Sequence, residues 1–293
     1  MFKGVGTALI TPFNERGVDF DSYERLINFQ INNGADALIV CGTTGEPATM
    51  TAEENHKVMA TALEIINKRV PAIVGTGSNA TAIAIEHSKV AEDMGADGLL
   101  VVTPYYNKCT QGGLIAHYTA IAESVHTPIF MYNVPGRTGV NMKPETVLKL
   151  SSVKNICAIK EASGNIAQAQ EIAKLTKGTG LKIYSGDDSL TLPLLSLGAS
   201  GVISVTSNIV PRVMHDIVTL FQAGEVDKAR ELHLKYLDLM NTLFVETNPI
   251  PVKYAAKRVG LIEDDILRLP LTKIEDADAI KVDAVLKRLA LID

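Results

Sequence analysis

Three eight-residue stretches of this chain repeat one pattern: Asn33-Gly34-Ala35-Asp36-Ala37-Leu38-Ile39-Val40, Met94-Gly95-Ala96-Asp97-Gly98-Leu99-Leu100-Val101 and Leu197-Gly198-Ala199-Ser200-Gly201-Val202-Ile203-Ser204. Each joins a glycine, the residue that most readily ends a helix in the left-handed conformation, to an apolar run suited to a parallel strand covered on both faces. The glycines are spaced by 61 and 103 residues. These are about two and four times the roughly 25 to 30 residues of a strand plus its crossover helix, so the repeat is a βα unit.

Filling the gaps predicts strands near residues 4–11, 36–41, 71–75, 97–102, 128–132, 154–160, 181–185 and 200–205, with helical patterns between them. Eight such units point to a closed (β/α)8 TIM barrel, although an open doubly wound sheet shares much of the pattern. Residues 1–13 read as the first strand; they lack a signal-peptide cleavage site and run into Pro12 and a charged turn. After Gly224 the pattern is wholly helical, over residues 226–244, 251–259 and 276–291. The expected organisation is a catalytic barrel, residues 1–224, and a C-terminal helical domain, residues 225–293.

A net charge of -5 without a clustered Lys/Arg stripe argues against nucleic acid and against an anionic membrane surface as partners. No apolar run approaches the roughly 18 residues of a membrane-spanning helix. Cys41, Cys109 and Cys157 are odd in number and widely spaced, which indicates neither a disulfide framework nor a zinc knuckle and suits a reducing cytoplasm.

In a barrel of this kind the chemistry gathers where the strands end. Here those ends carry Thr11, Gly42-Thr43-Thr44-Gly45-Glu46, Gly75-Thr76-Gly77-Ser78-Asn79, Thr103-Pro104-Tyr105-Tyr106-Asn107, Tyr132-Asn133, Lys160-Glu161, Ser185-Gly186-Asp187-Asp188 and Thr206-Ser207-Asn208. They are rich in hydroxyls and nearly free of histidine. All six histidines fall on the intervening helices or their ends, so a metal-dependent mechanism lacks its ligands. Asp187 and Asp188 occupy the loop where a phosphate cradle would avoid negative charge, so an unphosphorylated acid is the expected substrate.

Lys160 closes the apolar run Ile156-Cys157-Ala158-Ile159. Its amine is expected inside the barrel mouth, where desolvation lowers a lysine pKa and leaves free amine to attack a carbonyl. Position alone does not separate that role from a lysine snorkelling outward or pairing with Glu161. Lys108, several residues into a loop, is expected to be solvated. Tyr132 ends the neighbouring fifth strand and could shuttle protons to the amine, or simply be a core tyrosine. Arg137, in the same loop, is suited to hold a carboxylate bidentately or to lie on the surface.

Taken together, Tyr132-Asn133-Val134-Pro135-Gly136-Arg137-Thr138-Gly139, Pro104-Tyr105-Tyr106-Asn107, Ile159-Lys160-Glu161-Ala162, Ser185-Gly186-Asp187-Asp188 and Asn248-Pro249-Ile250-Pro251-Val252-Lys253 resemble the pyruvate-dependent class I lyase family of Schiff-base barrels. Within it they match the dihydrodipicolinate synthase subgroup, over the whole chain. Gly42-Thr43-Thr44-Gly45-Glu46 is shared by the wider family and is less specific.

The resemblance implies that Lys160 condenses with pyruvate, that the imine becomes an enamine, and that its carbon attacks the aldehyde of L-aspartate 4-semialdehyde. It implies no cofactor. Tyr132, Thr43 and Tyr106 match the proton relay, with Tyr106 reaching into a neighbouring subunit's site. Thr44, Gly186 and the backbone at Ile203 match pyruvate-binding positions, and Arg137 the group holding the semialdehyde carboxylate. It also implies a homotetramer built as a dimer of dimers. Regulated members bind L-lysine between subunits. Here Asn79 and Tyr105 are kept, but Ala52, Asn55 and Ile83 replace the polar or charged groups expected, so weak or absent lysine feedback is predicted.

Two alternatives stay open at this level. One is a related Schiff-base aldolase or lyase acting on N-acetylneuraminate or a 2-keto-3-deoxy sugar acid. The other is a non-catalytic, ligand-sensing barrel.

Overall fold

The computed structural model describes all residues of the chain, Met1–Asp293. Eight parallel strands, β1 (Gly4–Ala8), β2 (Ala37–Val40), β3 (Ala72–Gly75), β4 (Gly98–Val102), β5 (Ile129–Asn133), β6 (Ile156–Glu161), β7 (Lys182–Ser185) and β8 (Gly201–Ser204), pair in chain order. β8 closes on β1 with Gly4 opposite Gly201 and Thr7 opposite Ser204. Closure decides against the open sheet. The repeat glycines behave as the pattern demands, with φ of 88° at Gly34, 85° at Gly95 and 90° at Gly198, each just before a strand.

The first strand stops at Ala8, short of the expected 4–11. The Ile10 N–H donates to Asn208 Oδ1 at 3.1 Å instead of to a neighbouring strand. Pro12 has no N–H to offer, and a two-residue hairpin, Phe13–Asn14 against Gly17–Val18, follows.

Eight helices wrap the barrel: α1 (Phe20–Asn32), α2 (Ala52–Ile66), α3 (Thr81–Asp93), α4 (Gln111–Ser124), α5 (Pro144–Leu150), α6 (Ile166–Leu175), α7 (Thr191–Ser196) and α8 (Pro211–Gln222). Strand residues alternate between two apolar clusters. Ile39, Ile73, Leu100, Phe130, Tyr132, Ala158 and Ile203 point inward with Phe2 and Tyr184, whereas Leu38, Val40, Val74, Leu99 and Val101 pack against the helices. Phe2, preceding β1, plugs the end of the barrel where strands begin. Its ring stacks on Tyr184 with centroids 4.5 Å apart, and the Tyr184 hydroxyl donates to the Phe2 carbonyl at 2.6 Å. The opposite end, where strands finish, is left to polar groups.

Three further helices, α9 (Val226–Thr242), α10 (Ile250–Arg258) and α11 (Asp276–Arg288), complete the chain. Leu239, Leu243, Val252, Ala255, Val282 and Leu286 belong to the same apolar cluster as the outer face of the barrel. No helix is long and apolar enough to cross a membrane.

Candidate active site

The Lys160 side chain owes its place to strand parity. Ile159 faces the helices, Lys160 the barrel interior and Glu161 the helices again. Glu161 accepts hydrogen bonds from Asn133 Nδ2 at 3.0 Å and from the Ser163 N–H at 2.8 Å, so it is not a partner for Lys160. β5 and β6 align with Tyr132 opposite Lys160, and the amine lies 4.3 Å from the centroid of the tyrosine ring.

Lys160 is 5% exposed. Burial pulls its pKa from 10.5 to about 8; the Asp188 carboxylate opposes that fall and the Arg137 charge adds to it. Gly186 supplies the room: a β-carbon there would stand 3.0 Å from Lys160 Cγ and Cε, and 2.6 Å from Ala162 Cβ.

Tyr132 is buried as well, which raises its phenol pKa; the Arg137 charge and the Thr43 hydroxyl pull it back. A protonated phenol beside a partly neutral amine is a pairing able to exchange protons during carbonyl addition.

A cavity of about 450 Å³ opens at this end of the barrel, lined among others by Thr43, Tyr132, Arg137, Thr138 and Asn248. Lys160, Thr44, Gly186 and Ile203 do not line it: Lys160 lies against Tyr132, and Thr44 is buried with its hydroxyl accepting from Asn248 Nδ2 at 2.9 Å. Arg137 sits in a one-turn helix, Pro135–Thr138, and its Nη2 donates to the Asn248 carbonyl at 2.8 Å. Tyr106 stands apart from the cavity: it is 89% exposed and holds φ of 70°, a left-handed conformation uncommon for a side chain of its size. Lys108 is exposed as expected. His56 and His87, on α2 and α3, line the same cavity. No three His, Cys, Asp or Glu side chains converge to hold a metal.

A family model for the dihydrodipicolinate synthetase family matches residues 1–289. The chain belongs to this family. A 4-hydroxy-tetrahydrodipicolinate synthase from Geobacter metallireducens is 52% identical, with both chains covered in full. The Thermotoga maritima dihydrodipicolinate synthase superposes with a TM-score of 0.98 at 46% identity, covering 100% of each chain. The Acinetobacter baumannii dihydrodipicolinate synthase, solved in complex with pyruvate, does so with a TM-score of 0.97 at 42% identity, again over 100% of each.

Within this dihydrodipicolinate synthetase barrel, the surroundings of one strand-end residue and the whole of a second group escape a reading of strand ends. Asp188 is buried beside β8, where its Oδ2 accepts from the N–H groups of Val205 and Thr206 and from the Thr206 hydroxyl at 2.8 to 3.0 Å. In the sequence it is legible only as a negative charge in a loop; its approach to Lys160 follows from β6 pairing with β7, with Lys160 opposite Tyr184 and Glu161 opposite Ser185. Asn248 comes from the segment after α9 and bridges Thr44 to Arg137 across more than a hundred residues of chain. Only the matched Asn248–Lys253 motif marked that segment, and it carried no role.

Proposed function

We propose that this chain catalyses the 4-hydroxy-tetrahydrodipicolinate synthase reaction, joining pyruvate to L-aspartate 4-semialdehyde through a Schiff base on Lys160. One observation carries the reading: a buried lysine amine, its pKa pulled down to about 8, 4.3 Å from the ring centroid of a buried tyrosine that lines the cavity with Thr43. The relatives' name and the pyruvate complex of a family member support the choice of substrates.

In this scheme the neutral amine adds to the keto carbon of pyruvate, and water leaves as the imine forms. Loss of a methyl proton gives the enamine, whose carbon forms the new C–C bond with the aldehyde. The amine of the semialdehyde then displaces Lys160 as the ring closes, and the free lysine is regenerated. Tyr132, Thr43 and Tyr106 carry protons through these steps. Hydroxyls can do so without placing another negative charge beside the keto acid. Thr44, Gly186 and the Ile203 backbone seat pyruvate, and Arg137 holds the semialdehyde carboxylate.

Tyr106, outside its own chain's cavity, acts in the site of a second copy, and the working unit is a homotetramer built as a dimer of dimers. Residues 1–224 form the catalytic barrel and residues 225–293 a helical domain that braces it. Three free cysteines and a biosynthetic role fit a cytoplasmic enzyme.

Incubation with pyruvate, borohydride reduction and peptide mass mapping test the reading. A single reduced adduct on Lys160 is expected; an unmodified Lys160 in native, pyruvate-treated protein overturns it.

A further inference from the structure

Glu46 ends the motif that carries Thr43 and Thr44, and its backbone is the joint of that loop. It closes the 3-10 turn Thr43–Gly45 and opens the next, Pro47–Thr49, with φ of 56° and ψ of 39°. A side chain larger than asparagine adopts this left-handed conformation only where its surroundings hold it there. Those surroundings come from the far end of the chain. Lys253, on α10, is 0% exposed and donates from Nζ to Glu46 Oε1 at 2.7 Å and to the Ile266 carbonyl at 2.6 Å. The same ammonium lies 4.2 Å from the centroid of the Phe13 ring, so a carboxylate, a carbonyl and an aromatic face enclose it.

Beside it, the Arg268 guanidinium reaches the Thr49 carbonyl at 3.2 Å and both Glu54 oxygens at 2.7 and 2.6 Å. Glu54 in turn completes a capping box with Thr51 at the start of α2. The loop bearing the threonines is therefore gripped along its whole length, Thr44 to Glu54, by residues 248 to 268.

A fully desolvated ion pair is a poor source of stability, because apolar residues of similar volume fill such a space at no greater cost. What an ion pair does that a methionine pair does not is fix direction: it holds one oxygen of Glu46 against one fixed amine. We infer that Lys253, acting through Glu46, is a positioning residue for the condensation, setting the turn that presents Thr43 and Thr44 to pyruvate. The inference rests on the Lys160 reading above. It assigns to the C-terminal helices a part in the geometry of the first substrate's site.

The test compares K253M and E46M/K253M with the wild-type protein. K253M strands a buried carboxylate and is expected to lower the thermal midpoint; E46M/K253M removes both charges and is expected to recover it. Pyruvate KM is expected to stay raised by on the order of 10-fold or more in both variants, since a small misplacement of binding groups is costly and restored packing does not restore the turn. The semialdehyde KM is expected to stay within about 2-fold, because Arg137 is carried by its own one-turn helix, Pro135–Thr138. A folded E46M/K253M with wild-type pyruvate KM overturns the inference and leaves a purely structural pair. Borohydride trapping on the wild-type protein separates this from failure of the parent reading: without a Lys160 adduct there, the Schiff-base assignment itself falls.

Discussion

Lys160→Met separates the cost of the buried amine from its proposed use. The ordinary lysine pKa of 10.5 falls to about 8 at this position, which corresponds to about 3 kcal/mol at 1.36 kcal/mol per unit. Below pH 8 the residue is charged in the folded and the unfolded chain alike, and the full cost of burying the charge applies. Between pH 8 and 10.5 the unfolded chain holds a proton that the folded one has released, so stability rises with pH. Above 10.5 both forms are neutral and the cost is gone.

Lys160→Met is therefore expected to be more stable than wild type by up to about 3 kcal/mol at pH 7, with the difference fading toward pH 10.5. Denaturant unfolding at a series of pH values measures it. The same shift sets reactivity: at pH 7 about a tenth of the amine is free, against about 0.03% for an ordinary lysine, a gain of roughly 300-fold. Imine formation in the wild type, followed by borohydride quench, is expected to rise about tenfold per pH unit up to a bend near pH 8. A bend near 10.5 refutes the reasoning, as does a Lys160→Met variant less stable than wild type at pH 7.

Other changes reach neighbouring parts of the site. Tyr132→Phe keeps the ring beneath the amine but removes the phenol, and steady-state kcat is expected to fall on the order of 10² to 10⁴-fold; a near-normal kcat would exclude Tyr132 from the relay. Gly186→Ala places a methyl 3.0 Å from Lys160 Cγ and Cε, so trapping with pyruvate should slow by about tenfold or more, with destabilisation of roughly 1–3 kcal/mol; unchanged trapping would mean that the lysine has another position available. Coexpressed Lys160→Ala and Tyr106→Phe chains should regain activity at about half the sites of mixed dimers, whereas a Tyr106 acting within its own chain regains none. L-Lysine below millimolar concentration is expected to leave the rate unchanged. Ala52 offers no polar group, and Asn55 Nδ2 is engaged by the carbonyls of Pro47, Met50 and Thr51; strong inhibition in a steady-state assay would contradict this.

Much of the architecture is local information. A left-handed glycine at Gly34, Gly95 and Gly198 followed by an apolar run specifies a helix stop and a buried strand wherever it occurs. Repeating the unit eight times leaves few topologies. Strand parity puts Lys160 and Glu161 on opposite faces once the strand is known, but leaves a buried amine and one that snorkels outward equally open. The C-terminal helices are equally visible in their apolar periodicity.

What the sequence could not contain is distance between residues far apart in the chain. Closure of β8 on β1, rather than an open sheet, depends on how eight twisted strands share one interior, and no single segment states it. The fall of Lys160 to about pKa 8 sums a burial created by the whole barrel with charges from Asp188 and Arg137, which belong to different loops. The Glu46–Lys253 pair, 207 residues apart in sequence, is legible only as two ordinary charged residues until folding takes both out of water. Local pattern determined eight βα units with a lysine at the end of the sixth strand; tertiary structure alone decided that they close into a barrel and which distant groups surround that lysine and hold its neighbours. Electrostatics and packing act through space, and folding is what converts sequence separation into proximity.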